Sequence, residues 1–570
     1  MTTVDDSEST ALEAAPGSAV INWHEIARDV EINMAAWTYQ AERVFVPAAI
    51  RLIAELHREL QPERQQLLDA RLARQEEWDA GGVPGYLEGD IAEQAKGDWQ
   101  IAPLNPDLMT RRVEITGPIN DTKMVINMLS RTERGDRADA AMLDFEDSMK
   151  PAWANVMQGV ENLIGAADGT LSFVKPAQGD QPEKLYKLDP KDMPLLMVRC
   201  RGLHLVESNL RVDNEPVSAG LMDLTLSVFH TAKRLIEQGK TPKYYVPKVE
   251  HYLEARWWST LFSHLEDALE LPRSALRSTF LIETLPAAFQ MEEILYELRE
   301  HATGLNVGRW DKIFSDIKTL KGHADKVMAD RASISLNRPW MKNYAERLIK
   351  ICHRHGAFAM GGMAAFTPGG TPERRAEQTQ KVVDDKEFEF SLGHDGCWVS
   401  HPYFIGPAMS AFTRENQLDI TPDIDDQPDL IPQSTPPKTL DGLRTNVRVG
   451  IAYTQGWQQD IGCVAWDDLM EDLATLEISR AQIWQWLHHA ITLDDGQPVT
   501  RPLVTRIFHE ELAKIETEIR EAMASFAEEA IETEIGRFRH AMETACAVFT
   551  EEQFRPFLKM SSDLVQEEAH

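Results

Sequence analysis

The sequence predicts an α/β protein organised around a (β/α)8 TIM barrel. Three observations carry that prediction. Eight short, apolar, β-branched segments recur between residues 112 and 400, most are separated by amphipathic segments of helical period, and five of the apolar runs end in or lead into charged residues. A doubly wound open sheet is the alternative that the same alternation allows. At 570 residues the chain exceeds one ordinary core, so smaller parts are expected around the barrel.

In chain order, residues 1–20 are acidic, polar and without an apolar core, and read as a disordered tail. Residues 21–110 read as an N-terminal helical segment with no clear strand, carried by AERVFVPAAIRLIAELHREL and then PERQQLLDARLARQEEWDA. The barrel is expected over 111–415. Its strands are VEIT at 113–116, AMLDF at 141–145, LLMVR at 195–199, YYVP at 244–247, TFLIE at 279–283, GLNVG at 304–308, AFAMG at 357–361 and CWVS at 397–400. Residues 416–442 are rich in Pro and Asp, have no periodicity that would bury anything, and read as a linker. Residues 443–570 read as a separate helical domain.

Composition excludes several classes. A formal charge of −32 with no basic stripe repels phosphate backbones and anionic lipid, so neither nucleic acid nor a membrane is an expected partner. No run of about 18 apolar residues and no apolar leader occurs. Five scattered cysteines show neither a CxxC pair nor an even count, which suits a reducing compartment, and a cytoplasmic enzyme is expected. The final QEEAH lacks a peroxisomal address. Nothing in the composition fixes an oligomeric state.

The chemistry is expected where barrel strands run out into loops. Those ends are polar: Glu146 and Asp147 after the second strand, Arg199-Cys-Arg201 at the third, Lys248 and Glu250 after the fourth, Glu283 at the fifth, and Arg309-Trp310-Asp311 after the sixth. Glu283 and Asp311 lie on neighbouring strands, and two carboxylates without histidine or cysteine suit a hard cation such as Mg²⁺. The plainer alternative is a pair of surface or ion-paired acids. One of Arg199 and Arg201 could grip a carboxylate or stabilise an oxyanion, with a salt bridge to Asp144, Glu146 or Asp147 as the alternative. In the C-terminal part, Asp467, Asp468, Glu471, Asp472 and Glu477 crowd a helix start, where acids usually only favour the dipole. The glycines of GAFAMGGMAAFTPGG allow close backbone approach to a ligand or a plain barrel turn. His353, His355, His488 and His489 lack metal-ligand spacing and read as structural.

Taken together, RRVEITGP, MLDFEDS, VRCRGLHL, YYVPKVE, LIETLPAAFQMEEILYELREH, GLNVGRWDKIFSDIKTLK, CHRHGAFAMGGMAAF, HDGCWVSHP and LMEDLATLEISRAQIWQWLHH resemble the A-type malate synthases, from residue 111 to 489. The resemblance implies a barrel clasped by the N-terminal helices and capped by a C-terminal helical plug. It implies condensation of acetyl-CoA with glyoxylate followed by hydrolysis to malate and CoA. Arg199 would then be the catalytic arginine, Asp472 the base, and Glu283 and Asp311 the Mg²⁺ ligands. The backbone around Gly308, Arg309 and Trp310 would bind glyoxylate, and Pro402 would lie near CoA. A malyl-CoA or citramalyl-CoA lyase and a non-catalytic barrel scaffold are the competing readings. RTERGDRADA, between the first two strands, is longer than the family pattern leads one to expect.

Overall fold

The structure, a computed structural model, describes residues 22–177 and 182–558, so the tail expected over 1–20 lies outside it. The strands are β1 (Trp23–Ala27), β2 (Val30–Asn33), β3 (Val113–Pro118), β4 (Ala140–Asp144), β5 (Ser172–Lys175), β6 (Lys184–Lys187), β7 (Leu195–Arg199), β8 (Val206–Val212), β9 (Glu215–Ser218), β10 (Lys243–Val246), β11 (Arg277–Ile282), β12 (Ala302–Val307), β13 (Phe358–Ala364), β14 (Gly396–Val399), β15 (Val464–Trp466) and β16 (Leu469–Glu471). Eight of them close a parallel barrel in the order β10-β11-β12-β13-β14-β3-β4-β7, and β14 seals it by pairing Cys397 with Val113. Closure rules out the open doubly wound sheet, and each of the eight expected segments falls on a barrel strand. Helices such as Ala219–Glu237, Tyr252–Ala268 and Pro339–Arg354 return the chain between parallel strands and cover the outer face.

The barrel interior is not wholly apolar. Arg111 donates to Glu114 (2.6 Å), Thr303 (3.3 Å), Thr279 (3.2 Å) and the Tyr245 hydroxyl (2.9 Å). Glu114 also accepts from Tyr245 (2.5 Å) and the Trp398 indole (3.0 Å). Both charges are fully buried, yet each is paired and hydrogen-bonded, which is the condition for a charge to persist without water.

Three parts differ from expectation. The N-terminal segment opens with β1 and β2, which join β8 and β9 in a four-stranded antiparallel sheet. Val30 and Ile32 alternate inward with polar neighbours, but the runs are short and their partner β8 lies some 180 residues along, so the longer helical periodicity around them masks the strands. The C-terminal helical part contains the hairpin β15-β16, whose turn residues Asp467 and Asp468 both have positive φ (45° and 66°). That is a primed turn built without glycine, so its usual signature is missing. The expected linker is a pinned strap. Its carbonyls at Ile420, Ile424, Asp426 and Asp429 accept from His353, Lys350, Arg347 and Asn343 of one barrel helix, and Leu430 is fully buried.

Replacing Arg111 alone strands Glu114 inside the barrel. Arg111→Leu is expected to cost about 3–5 kcal/mol, seen as a lower urea midpoint, and pairing it with Glu114→Leu is expected to recover part of the loss. An unchanged midpoint for Arg111→Leu would show that the pair contributes nothing.

Candidate active site

The charged strand ends meet in one cluster at the C-terminal mouth of the barrel. Asp144, the last residue of β4, accepts amide bonds from Glu146 (2.9 Å) and Ser148 (3.0 Å), which folds the following turn. Its two oxygens also receive the Arg199 fork, at 2.7 Å from Nε and 2.5 Å from Nη2. This bidentate grip fixes the guanidinium plane and leaves Nη1 facing Glu146 and Asp147, each 3.4 Å away. Arg201 diverges from it: β7 ends at Arg199, and Arg201 is taken up by Asp223 (2.8 Å) and Glu207 (3.0 Å). Arg199 faces the mouth and Arg201 is structural.

Lys248 sits at the centre. Its Nζ lies 2.7 Å from Asp147, 3.0 Å from Glu146 and 3.3 Å from Asp311, while its backbone N–H donates to Glu283 at 2.8 Å. One residue therefore touches both Glu283 and Asp311. Its φ of 54° puts a side-chain-bearing residue in the left-handed region, a conformation found where surroundings impose it. The imposing group is Arg71 of the long helix Pro47–Asp79, which holds the Lys248 carbonyl (2.8 Å) and Glu254 (2.6 Å).

Gly308 caps the helix Arg309–Thr319, whose first turn carries Asp311. A Cβ on Gly308 would come within 2.6 Å of the Glu283 side chain, so only glycine lets these strand ends close together. The Arg309 side chain is tied to Asp385 (2.8 Å) and the Met363 carbonyl (3.0 Å), so its guanidinium is turned away from the mouth cluster. The buried Trp310 indole N–H has no partner. Gly361 and Gly362 lie within β13 and make room for Glu389 and Arg309, so the close approach they permit is to protein groups. His353 and His355 are held by Asp395 (3.0 Å) and Glu292 (2.9 Å), His488 stacks on Trp484, and His489 meets the Lys321 carbonyl.

Asp472 reaches this cluster from the C-terminal part. The amide of Met470 donates to Ala365 (2.7 Å) and that of Thr367 to Asp468 (2.8 Å), which lays the β15-β16 hairpin along the segment after β13. The Leu473 amide then donates to the Asp147 carbonyl at 3.3 Å. Asp472 is the N-cap of helix Leu473–His488 in a capping box with Thr475. It lines a cavity of about 490 Å³ together with Met363, Pro402, Cys463 and Met470. Arg331, from the barrel loop after helix Arg309–Thr319, supports this placement through Glu471 (2.5 Å) and the Thr475 carbonyl (3.3 Å).

Five carboxylates, Asp144, Glu146, Asp147, Glu283 and Asp311, face two cations, Arg199 and Lys248. Burial, neighbouring acids and too few cations push Glu146 and Asp311 well above the carboxylate range and raise Glu283. Burial would also raise Asp147, but Lys248 and Arg199 outweigh it and bring it down to about 2. Burial, then the Asp147 charge, pushes Asp472 up to about 7 against the pull of Arg199. Both Glu146 oxygens are buried and make only ion-pair contacts, with Lys248 at 3.0 Å and Arg199 at 3.4 Å, without an aligned hydrogen bond. Among the described residues no group of three or more His, Cys, Asp or Glu forms a ready-made metal cage. A pair of carboxylates with surplus negative charge around it still fits a hard cation that keeps water or substrate oxygens in its other positions.

Sequence reasoning placed Arg199, Glu283, Asp311 and Asp472 as candidates but gave no role to Lys248 or Arg331. The first was visible only as a polar strand end, and the second sits in a loop without a motif.

Three family models match the chain: "Malate synthase, N-terminal domain" over residues 38–90, "Malate synthase, TIM barrel domain" over 195–429 and "Malate synthase, C-terminal" over 437–562. The chain is 40% identical to malate synthase A of Escherichia coli (strain K12) over 530 residues, 91% of this chain and 95% of that one. It is 43% identical to a malate synthase of Myxococcus xanthus (strain DK1622) over 489 residues, 85% and 88% of the two chains. It is 38% identical to the glyoxysomal malate synthase of Gossypium hirsutum over 523 residues, 89% of each. A closed barrel with its charged mouth, three consecutive family matches and relatives aligned over nearly their whole length lead to one conclusion: the chain belongs to the malate synthase family.

Proposed function

We propose that the chain condenses acetyl-CoA with glyoxylate and hydrolyses the resulting malyl-CoA to malate and CoA, with Asp472 as base and Arg199 as the enolate-stabilising cation. The observation that carries this reading is the meeting of a carboxylate pushed up to about 7 with a fixed guanidinium at one barrel mouth. A base with that affinity for a proton is suited to a weak carbon acid near neutral pH. Asp472 takes a proton from the acetyl methyl group. Arg199, oriented by Asp144, stabilises the negative charge that develops on the thioester oxygen. The enolate carbon attacks the aldehyde carbon of glyoxylate, whose carboxylate is held by the backbone amides at Gly308, Arg309 and Trp310, at a helix N-terminus that favours an anion. Water then cleaves the thioester, giving malate and CoA.

Glu283 and Asp311 are the groups that would hold Mg²⁺, which when bound supplies Lewis-acid polarisation of the glyoxylate aldehyde oxygen. Lys248 keeps the two in register, with its amide on one and its ammonium near the other. Among the described residues no helix is long and apolar enough to cross a membrane. All five cysteines are free thiols, which supports a cytoplasmic setting.

Glyoxylate-dependent thiol release from acetyl-CoA in the presence of Mg²⁺ is the test of the reaction. Asp472→Asn is expected to lower kcat by about 10²–10⁴. If malyl-CoA is instead cleaved to acetyl-CoA and glyoxylate with no thiol release, the chain is a lyase. Because Asp472 accepts a proton only when ionised, kcat/KM is expected to fall as pH drops through about 7; a profile flat from pH 8 to about 5.5 would remove Asp472 from that role. Glu283→Gln is expected to weaken Mg²⁺ binding at least about tenfold by calorimetry, and unaltered affinity would place the ion elsewhere.

A further inference from the structure

The ladder that joins the two strands nearest Glu283 and Asp311 stops short of both acids. β11 and β12 pair in parallel as far as Ile282 and Val307, and Glu283 and Gly308 follow. Beyond that rung, strand pairing no longer fixes how far apart Glu283 and Asp311 stand. Lys248 engages the two acids from the mouth side, with its amide on one and its ammonium near the other. A second residue acts on the strand ends themselves.

Tyr344 lies on helix Pro339–Arg354, outside the barrel wall, and is fully buried. Its hydroxyl donates to the carbonyl of Ile282, the residue before Glu283, and the same oxygen lies against the backbone of Gly308. The ring meets the neighbour of the other acid: the ammonium of Lys312, the residue after Asp311, is 5.5 Å from the ring centre. Lys312 is itself buried and paired with Asp316 at 2.5 Å, which keeps it in place. One side chain therefore contacts the residue beside each acid, and its hydroxyl stands between two strand ends where the ladder has no further rung. The helix that carries it is held in turn. Asn343, one residue before, and Arg347 and Lys350, one and two turns after, donate to the strap carbonyls of Asp429, Asp426 and Ile424. Arg347 also donates to the Ala288 carbonyl, in the short helix that follows Glu283.

Fixed spacing bears on which cation the pair accepts. Mg²⁺ demands near-ideal octahedral geometry with oxygens at about 2.0–2.1 Å, whereas Ca²⁺ takes more oxygens, at about 2.3–2.6 Å, in flexible arrangements. We infer that Tyr344 is the positioning residue that sets the gap between Glu283 and Asp311 and thereby makes the pair select Mg²⁺ over the larger Ca²⁺. The inference rests on these two acids being the metal ligands. Without the hydroxyl the strand ends are free to part, which loosens the hold on the small ion and still suits the large one.

The test is calorimetric titration of Mg²⁺, and separately of Ca²⁺, into the full chain without substrates. Tyr344→Phe keeps the ring and removes one oxygen. It is expected to weaken Mg²⁺ binding at least about tenfold while Ca²⁺ binding changes less than about threefold, so the preference for Mg²⁺ falls. A merely structural role would weaken both ions alike. An unchanged preference in the folded variant overturns the role of Tyr344. If Tyr344→Phe does not fold, Lys350→Met, which releases the same helix from Ile424 and Asp426 of the strap, is read in its place. A lower Mg²⁺ preference there supports the inference, and an unchanged one overturns it. Glu283→Gln separates this outcome from the reading beneath it: Mg²⁺ affinity unaltered by that change removes the pair as the metal site, and the inference with it, whatever Tyr344→Phe does.

Discussion

Charge imbalance at the barrel mouth is the constraint on which the remaining structure depends. Five carboxylates converge on one arginine and one lysine in a place where water is scarce, and burial sharpens the mismatch. Such a cluster cannot relax by moving apart, because each acid is the end or the near neighbour of a barrel strand. Its surplus is expressed as raised proton affinity and as appetite for a further cation. Both are properties that an enolate-forming site can use, so the feature least favourable to folding is the one that makes the site competent.

The surrounding parts can be understood as clamps on that cluster. The N-terminal helix reaches across the outgoing loops of two strands, with Arg64 on the Leu203 carbonyl (2.8 Å) and Arg71 on that of Lys248. Arg71 thereby holds the lysine backbone in its left-handed state. The C-terminal part brings one side chain to the cluster, Asp472, and much of the rest serves to seat it. The strap lies along helix Pro339–Arg354 and keeps that domain tethered beside the mouth.

The barrel was legible in sequence because parallel strands buried on both faces are near-continuous apolar runs, and five of the eight ended in or led into charges that a buried run could not otherwise explain. Glu283 and Asp311 stood out for that reason, and adjacency of their strands brought them together. What could not be read was whatever depended on distant partners. β1 and β2 alternate too briefly to be recognised until β8 is placed beside them. The hairpin turn at Asp467-Asp468 lacks the glycine that would mark it. The burial of Leu430 comes from a barrel helix, which no local pattern in the strap reveals. Lys248 was visible, but its role comes from four contacts made by residues on three other strand ends.

The barrel loop that carries Met328, Ala329 and Arg331 is threaded into the C-terminal domain, where it meets Gln485, Trp486, Gln482 and Glu471. Leu558, far along the chain, donates to Glu477 on the helix that also carries Gln482, Gln485 and Trp486. Barrel loop and C-terminal helix therefore brace each other, so a change that loosens either one is transmitted to the position of Asp472 at the barrel mouth.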